Sequence, residues 1–529
     1  MKASDLLVRC LENEGVRHVF CLPGEEILDI VNSLVDSPIQ CIVTRDERTA
    51  AFMANVCGRL TGKAGVCLAT LGPGATNLLT GVADANLDCA PLVAITGQAS
   101  LDRMHKESHQ YIDTLTLYKS VTKRSVRISR GYTISEIVRD SFKSAQTERP
   151  GSIHIEFPED VAIEDIAENK PLLVQAPFLS EPSEKKIKQA REIISRAKRP
   201  ILLVGNGVVR AKAHEAVREF CFALNIPAVH TFMAKGVIPD SHPLSLYTLG
   251  GKNQQPILSI FGEADVVIAV GYDFVEYAPC FWNPHCDKRI VHVNVLPAKV
   301  DKHYIVDVGV LGNIAIALQE IQADDIEPCA SEWAGRSRSR LLNHFDRICE
   351  REGGWPPCPY QIVRALRSVL GKNDLVVCDV GEHKLQMAEF FPCEEPNTCI
   401  ISNGLSSMGI GLPGGIAAKL LFHERNVVVV TGDGGFMMNS QEIETALRLG
   451  LSLTVLLWRD GGYGMIRKHQ RERFGRVSAS CFGNPDFVTY AQSFGASAFR
   501  IMSPSELKPA LEEALRLPTL SLIDCPVQY

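Results

Sequence analysis

The sequence predicts an α/β protein made of three doubly wound, parallel-sheet domains. Two observations carry this. Short apolar runs recur along the chain, each ending at a glycine, proline or carboxylate and each followed by a helical pattern. That is the rhythm of strands buried on both faces. At 529 residues the chain is also too long for one hydrophobic core, and about three domains is its natural division. Apolar residues make up 46% and charged residues 22%, an ordinary globular composition, and a net charge of −6 gives no reason to expect nucleic acid as a partner. No apolar run approaches a membrane span, and the segment from Met1 to Glu14 is too short and too charged for a signal peptide. The 17 cysteines are scattered and form no CxxC pair, as expected of buried thiols in a reducing cytoplasm.

The first domain is expected over residues 1–165. Ser4-Asp5 can cap a helix with Leu6, Leu7, Cys10 and Leu11 on one face. Strands follow at His18–Leu22, Gln40–Thr44, Gly65–Thr70, Pro91–Gly97 and Gly151–Pro158. A polar stretch, 166–185, reads as a linker. The second domain, 185–325, has strands at Pro200–Gly207, Ala264–Gly271 and Arg289–Asn294. A charged helical stretch from Asp324 to Gly354 leads to the third domain, 355–529, with strands at Leu375–Gly381, Asn426–Thr431, Leu453–Trp458 and Thr519–Cys525. Gly414–Leu421 reads as a helix of small residues.

The clearest chemistry lies in the third domain. The strand Asn426–Thr431 runs into Gly432-Asp433-Gly434-Gly435, a glycine turn. A helix at Gln441–Leu447 and the strand Leu453–Trp458 follow, and Asp460 stands just past that strand. This alternation places Asp433 and Asp460 at the carboxyl edge of one sheet, where open α/β sheets bind ligands. Hard oxygen ligands beside glycine N–H groups that can face a phosphate suit a Mg²⁺–diphosphate site, and the Gly462 carbonyl is a candidate third ligand. On spacing alone, a pair of solvent-exposed loop carboxylates is the competing reading.

Gly432-Asp433-Gly434, the helix bearing Glu442-Ile443-Glu444-Thr445-Ala446, and Asp460-Gly461-Gly462-Tyr463-Gly464-Met465 together resemble the cofactor motif of the thiamine-diphosphate-dependent enzymes. Trp458-Arg459-Asp460 is similar to the catabolic, FAD-independent acetolactate synthases within that family. The likeness covers nearly the whole chain, through His18–Gly24, Ala50–Ala54, Gly58–Lys63, Gly72–Asn77, Gly271–Tyr277 and Phe281–Asn283. The resemblance implies a pyrimidine-binding domain (1–165), a central Rossmann-like domain (185–325) and a diphosphate-binding domain (355–529). It implies thiamine diphosphate and Mg²⁺ as cofactors, with Asp433, Asp460 and Gly462 as metal ligands. Cofactor contacts are implied at Pro23, Gly24, Asn77, Glu382, His383, Ser406, Met408, Gly432, Asp433, Gly434, Gly435, Asp460, Gly462, Tyr463, Gly464 and Met465. Glu47 is implied as the catalytic carboxylate that bonds the cofactor's aminopyrimidine, and Gln110, in the pair His109-Gln110, as a neutral hydrogen-bonding group at the reacting centre. Met408 corresponds to the apolar wedge that bends the cofactor. FAD is not expected, since the turn Gly205-Asn206-Gly207 lacks a full GxGxxG. The implied reaction is decarboxylation of a 2-oxo acid with carboligation, two pyruvates giving 2-acetolactate and carbon dioxide. The implied assembly is a homodimer or homotetramer in which Glu47 of one subunit meets the diphosphate domain of another.

Two departures leave the substrate open. Glu25-Glu26-Ile27-Leu28 stands where the catabolic synthases usually carry Ala-Lys-Ile-Asp, so Glu26 inverts a local charge. Asp46 replaces a histidine often found before the catalytic glutamate. A related decarboxylase, or a carboligase with a different acceptor, is therefore the alternative. His105 and His109, four apart, also fit one helix face as a metal pair, without an evident third ligand. The basic run from Arg467 to Arg471 reads either as a lid attracting an anionic 2-oxo acid or as a solvated helix face.

Overall fold

A computed structural model describes residues 1–167, 169–175, 179–251, 254–322, 326–351 and 354–529. Its strands form three six-stranded sheets, and every ladder pairs in parallel. The first sheet holds β1 (His18–Leu22), β2 (Gln40–Val43), β3 (Gly65–Ala69), β4 (Leu92–Gln98), β5 (Arg124–Arg127) and β6 (Ser152–Pro158), in the order β2-β1-β3-β4-β6-β5. The second holds β7 (Pro200–Val204), β8 (Ala228–His230), β9 (Ser245–Thr248), β10 (Val266–Val270), β11 (Arg289–Asn294) and β12 (Val308–Leu311), in the order β12-β11-β10-β7-β8-β9. The third holds β13 (Leu375–Cys378), β14 (Cys399–Ile401), β15 (Val427–Gly432), β16 (Thr454–Arg459), β17 (Ser497–Arg500) and β18 (Ser521–Pro526), in the order β14-β13-β15-β16-β18-β17. Counted within each sheet, the first and third share one strand order. The middle sheet has the order of dinucleotide-binding folds.

The sequence pattern finds the central strands and misses short ones. β5, β9, β12, β14 and β17 lie at sheet edges and span three or four residues. An edge strand lacks the continuous apolar run that burial on both faces imposes, so periodicity does not reveal it. Three local expectations change. The first helix, Ala3–Asn13, starts earlier than a Ser4-Asp5 cap would place it, and Asp5 instead accepts from the Lys2 N–H at 3.1 Å. The strand expected to reach Gly381 stops at Cys378. The charged helix before the third domain spans Ser331–Arg351, and Asp324, where it was expected to begin, lies outside the described residues. The described cysteines are all free, nine of them buried.

The first and third domains share one apolar core. Ala50, Phe52 and Val56 of the helix Glu47–Thr61 pack in the same cluster as Val377, Ile416 and Val429. Small residues let these layers approach. A Cβ on Gly414 would stand 2.9 Å from Val56 Cγ2, and within the first domain one on Gly58 would stand only 2.0 Å from the Pro91 carbonyl oxygen. Polar joints fix the contact further. Asp84 Oδ1 accepts from Ser402 Oγ at 2.8 Å, and Asp88 Oδ1 accepts from the Gly404 N–H at 2.5 Å. Arg59 Nη1 donates to the Ile401 carbonyl at 2.6 Å.

These contacts predict opposite results at two helical glycines. Gly58→Ala is expected to cost about 2 kcal/mol or more, because a backbone carbonyl cannot step aside. Gly262, in the helix Gln255–Glu263, has nothing within 4 Å of its Cβ position. Gly262→Ala is expected to add up to about 1 kcal/mol. Denaturation midpoints of the two variants check both signs.

Candidate cofactor site

A cavity of about 230 Å³ opens at the carboxyl edge of the third sheet, where β13, β15 and β16 end. The chain after β15 enters a helix at once, Asp433–Asn439, so Gly434 and Gly435 form a helical first turn and not the turn expected. The helix Glu442–Arg448 then leads to β16. Asp433 is 1% exposed and tightly held. Its Oδ1 accepts from the Gly434 N–H at 2.9 Å, and its Oδ2 accepts from the Gly461 N–H and from Asn484 Nδ2, each at 2.8 Å. Asp460 is paired with Arg467. Burial, and then the nearby Asp433 charge, raise the Asp460 carboxyl above its ordinary range. The exposed-loop reading of these carboxylates is therefore wrong for Asp433, and Asp460 is largely covered as well.

His383 forms the opposite wall. It is buried in the first turn of the helix Glu382–Phe390, and burial lowers its imidazole to about 3, so the ring is neutral. One bond to the Asp379 backbone supports the ring, while Nε2 has no hydrogen-bond partner. A buried, unpaired ring nitrogen at a cavity wall marks a place for a ligand. The cavity floor is left to backbone. A Cβ on Gly434 would lie 2.9 Å from the Tyr463 ring, and one on Gly435 3.0 Å from the Asp379 carboxylate.

The cavity brings together Glu382, His383, Ser406, Met408, Gly432, Asp433, Gly434, Gly435, Asp460, Gly462, Tyr463, Gly464 and Met465. The Gly462 carbonyl already accepts from the Gly464 N–H at 3.1 Å and keeps a second lone pair. The expected residues of the first domain do not line it. They gather at the carboxyl edge of the first sheet instead. Glu47, 7% exposed, opens its helix and accepts from Asn77 Nδ2 at 3.0 Å. It is thus a covered group, not the surface helix carboxylate its position also allowed. Gly24, after Pro23, must be glycine, since a Cβ there would meet Thr70 at 2.4 Å. Gln110 is exposed and lies against Gly72, whose Cβ position is 2.8 Å from the Gln110 carbonyl oxygen. Glu26 is at the same edge and accepts from Thr70 Oγ1 at 2.6 Å.

Two expectations are corrected. His105 and His109 lie in irregular turns, not on a helix face, and no group of three or more metal-ligating side chains stands among the described residues. The basic run does form a helix, Gly464–Phe474, which buries none of its residues, yet Arg467 on it is bonded to Asp460 and so is not simply solvated.

Other contributing residues were missed from sequence. Asp379, 1% exposed, accepts from the N–H groups of Val380 (2.6 Å), Gly409 (2.8 Å) and Gly411 (3.2 Å), which ties the end of β13 to the loop carrying Ser406 and Met408. Glu442 accepts from the Arg45 N–H at 2.9 Å and from Thr49 Oγ1 at 2.8 Å, so the third domain holds the segment bearing Glu47. A carboxylate at a strand end signals Asp379 weakly. Nothing local signals this role of Glu442, since Arg45 and Thr49 lie almost 400 positions away.

Three family descriptions match the chain. They are "Thiamine pyrophosphate enzyme, N-terminal TPP binding domain" over residues 1–117, the central domain of the same family over 187–321, and its C-terminal TPP binding domain over 379–525. The chain is 36% identical to an acetolactate synthase of Bacillus subtilis, over 100% of this chain and 93% of the relative. It is 34% identical to a catabolic acetolactate synthase of Raoultella terrigena (99% and 95% covered) and to a probable acetolactate synthase large subunit of Methanococcus aeolicus (99% and 92%).

The cavity fits the diphosphate and metal end of such a cofactor, through paired oxygen ligands, an unpaired imidazole nitrogen and a glycine floor. Asp433→Asn is expected to weaken binding of thiamine diphosphate with Mg²⁺ at least about 10-fold. Trp458 lines the cavity, so quenching of tryptophan fluorescence during titration measures the change. Removing Mg²⁺ with a chelator should abolish the quench in the unmodified protein.

Proposed function

The chain belongs to the thiamine pyrophosphate enzyme family and is an enzyme of that kind, and on that premise we propose that it converts two pyruvates to 2-acetolactate and carbon dioxide. The observation that carries the site is the cavity where Asp433, Asp460 and the unpaired Nε2 of His383 meet. The likeness to acetolactate synthases along the full chain supports the reaction.

Asp433, Asp460 and the Gly462 carbonyl would hold Mg²⁺, and His383 Nε2 with the first-turn N–H groups would hold the diphosphate. Thiamine diphosphate, when bound, supplies the electron sink that lets a 2-oxo acid lose carbon dioxide. Glu47 would take a hydrogen bond from the cofactor's aminopyrimidine and hold a proton at its carboxylate, oriented by Asn77. Gln110 would offer a neutral amide to the reacting carbonyl. Ser406 and Met408 sit on the loop that Asp379 and Asp84 fix, and Met408 would act as the apolar wedge. The reaction is redox-neutral and calls for no flavin.

A cavity of about 230 Å³ is below the usual range for a whole small-molecule site, about 300–1,000 Å³. No residue of the first domain lines it. Both facts support a homodimer or homotetramer in which Glu47 of a second copy completes the site. Glu26 favours one second reading. Its carboxylate lies on the same sheet edge as Glu47, bonded to Thr70, and would disfavour a second anionic acceptor. A decarboxylase, or a carboligase with an uncharged acceptor, is that reading.

Pyruvate, thiamine diphosphate and Mg²⁺ together should yield 2-acetolactate, read by NMR of the products. Acetaldehyde without acetolactate would instead support the second reading. Glu47→Gln is expected to lower kcat about 10²- to 10⁴-fold with cofactor affinity changed only a few-fold. Unchanged turnover in that variant would sink the role given to Glu47.

A further inference from the structure

Lys384 is a buried cation that the chemistry above leaves unused. It follows Glu382 and His383 in the first turn of the helix Glu382–Phe390 and is 6% exposed. Glu382 and His383 line the cofactor cavity, and Lys384 itself does not. Its ammonium turns to the facing segment instead, donating to Ser406 Oγ at 2.9 Å and to the Ser402 carbonyl at 3.2 Å. Ser406 and Met408 line the same cavity. One side chain therefore joins the wall that carries His383 to the loop that carries Met408. Ser406 stands at a φ of 54°, in the left-handed region that disfavours residues other than glycine. Such a conformation persists only where its surroundings hold it. The Ser406 hydroxyl accepts from Lys384 and donates to the Asn403 carbonyl at 2.9 Å. The flanking residues are held from elsewhere. Asp84 and Asp88 of the first domain take Ser402 Oγ and the N–H groups of Asn403, Gly404 and Ser407, while Asp379 takes the Gly409 N–H. A charge is a costly way to make a buried tie. Burial pulls the Lys384 ammonium below its ordinary value, against the favourable charges of Asp88 and Asp84. A neutral donor would avoid that cost; what the cation adds is a stronger bond to a residue held in a disfavoured conformation.

We propose that Lys384 is a positioning residue for the cofactor. Through Ser406 it fixes the backbone from which Met408 enters the cavity, and it does so without touching the cofactor itself. The inference rests on the reading of this cavity as the thiamine diphosphate site, and not on which acceptor the enzyme uses.

The test is a double-mutant cycle on cofactor affinity. Thiamine diphosphate is titrated at saturating Mg²⁺ into the full-length protein and into Lys384→Met, Ser406→Ala and the double variant, with tryptophan quenching as the signal. Each single change is expected to weaken binding about 10-fold. The double variant is expected to bind about as weakly as the weaker single variant, because both changes break the same bond. Thermal melts followed by circular dichroism are recorded alongside. A lower melting temperature in Lys384→Met with unchanged affinity would make the lysine merely structural and overturn the proposal. Losses that multiply to about 100-fold in the double variant would overturn it too, since the two residues would then act independently. Should Lys384→Met not fold, Lys384→Gln replaces it in the cycle under the same criteria. Absence of any quench in the unmodified protein would instead sink the cofactor reading, and this inference with it, so the two failures are told apart.

Discussion

Two carboxylates held close together in a covered cavity repel each other, and the region around the cofactor cavity is arranged to sustain that arrangement. Asp433 is fixed by three donors from three separate segments, so it cannot turn away. Asp460 cannot use the same donors and leans on Arg467 instead. A divalent cation would relieve both groups at once, whereas without one such a pair is a poor stability device. The helix carrying Arg467 buries no residue of its own, and Arg467 ties it to Asp460. The two carboxylates and the helix are therefore one electrostatic unit.

The geometry of that unit depends on the packing behind it. The first and third domains share a strand order and a continuous apolar core, and buried aspartates stitch them together. Burial, and then the neighbouring Asp88, push Asp84 up to about 7, while donors from Ser402 and Ser407 pull the other way. Asp379 performs the same service inside the third domain. The loop from Asn403 to Gly411 is thereby pinned at both ends by carboxylates of two domains. A mobile loop could not present a bulky Met408 reproducibly to a ligand; one pinned this way can.

The arrangement also explains why the first domain's chemistry stands apart from the cavity in a single chain. Glu47 faces Asn77 within its own sheet edge, and Glu442 secures the backbone on either side of it. Each sheet edge is thus held by bonds made within the chain.

Much of this was legible in the residues themselves. Central strands announce themselves as unbroken apolar runs because they are buried on both faces, and glycines mark where backbone must face a ligand. The pattern around Asp433 and Asp460 therefore placed both at one sheet edge, and thirteen of the residues expected at the cofactor line one cavity there. Five of the six edge strands stayed hidden, as did the helical start at Asp433 and the turns at His105 and His109, because local pattern does not separate these alternatives. Asp379, Glu442 and Lys384 were invisible as site-forming groups for a different reason. Their partners are remote in sequence, and a carboxylate or ammonium acquires its role from what surrounds it in space. By itself the sequence determined the α/β class, the family and the sheet edge at which Asp433 and Asp460 stand, since periodicity and motif spacing are local properties. Only the tertiary structure decided which charges are buried, which donors are left unpaired and which loops are pinned, since those follow from packing between domains.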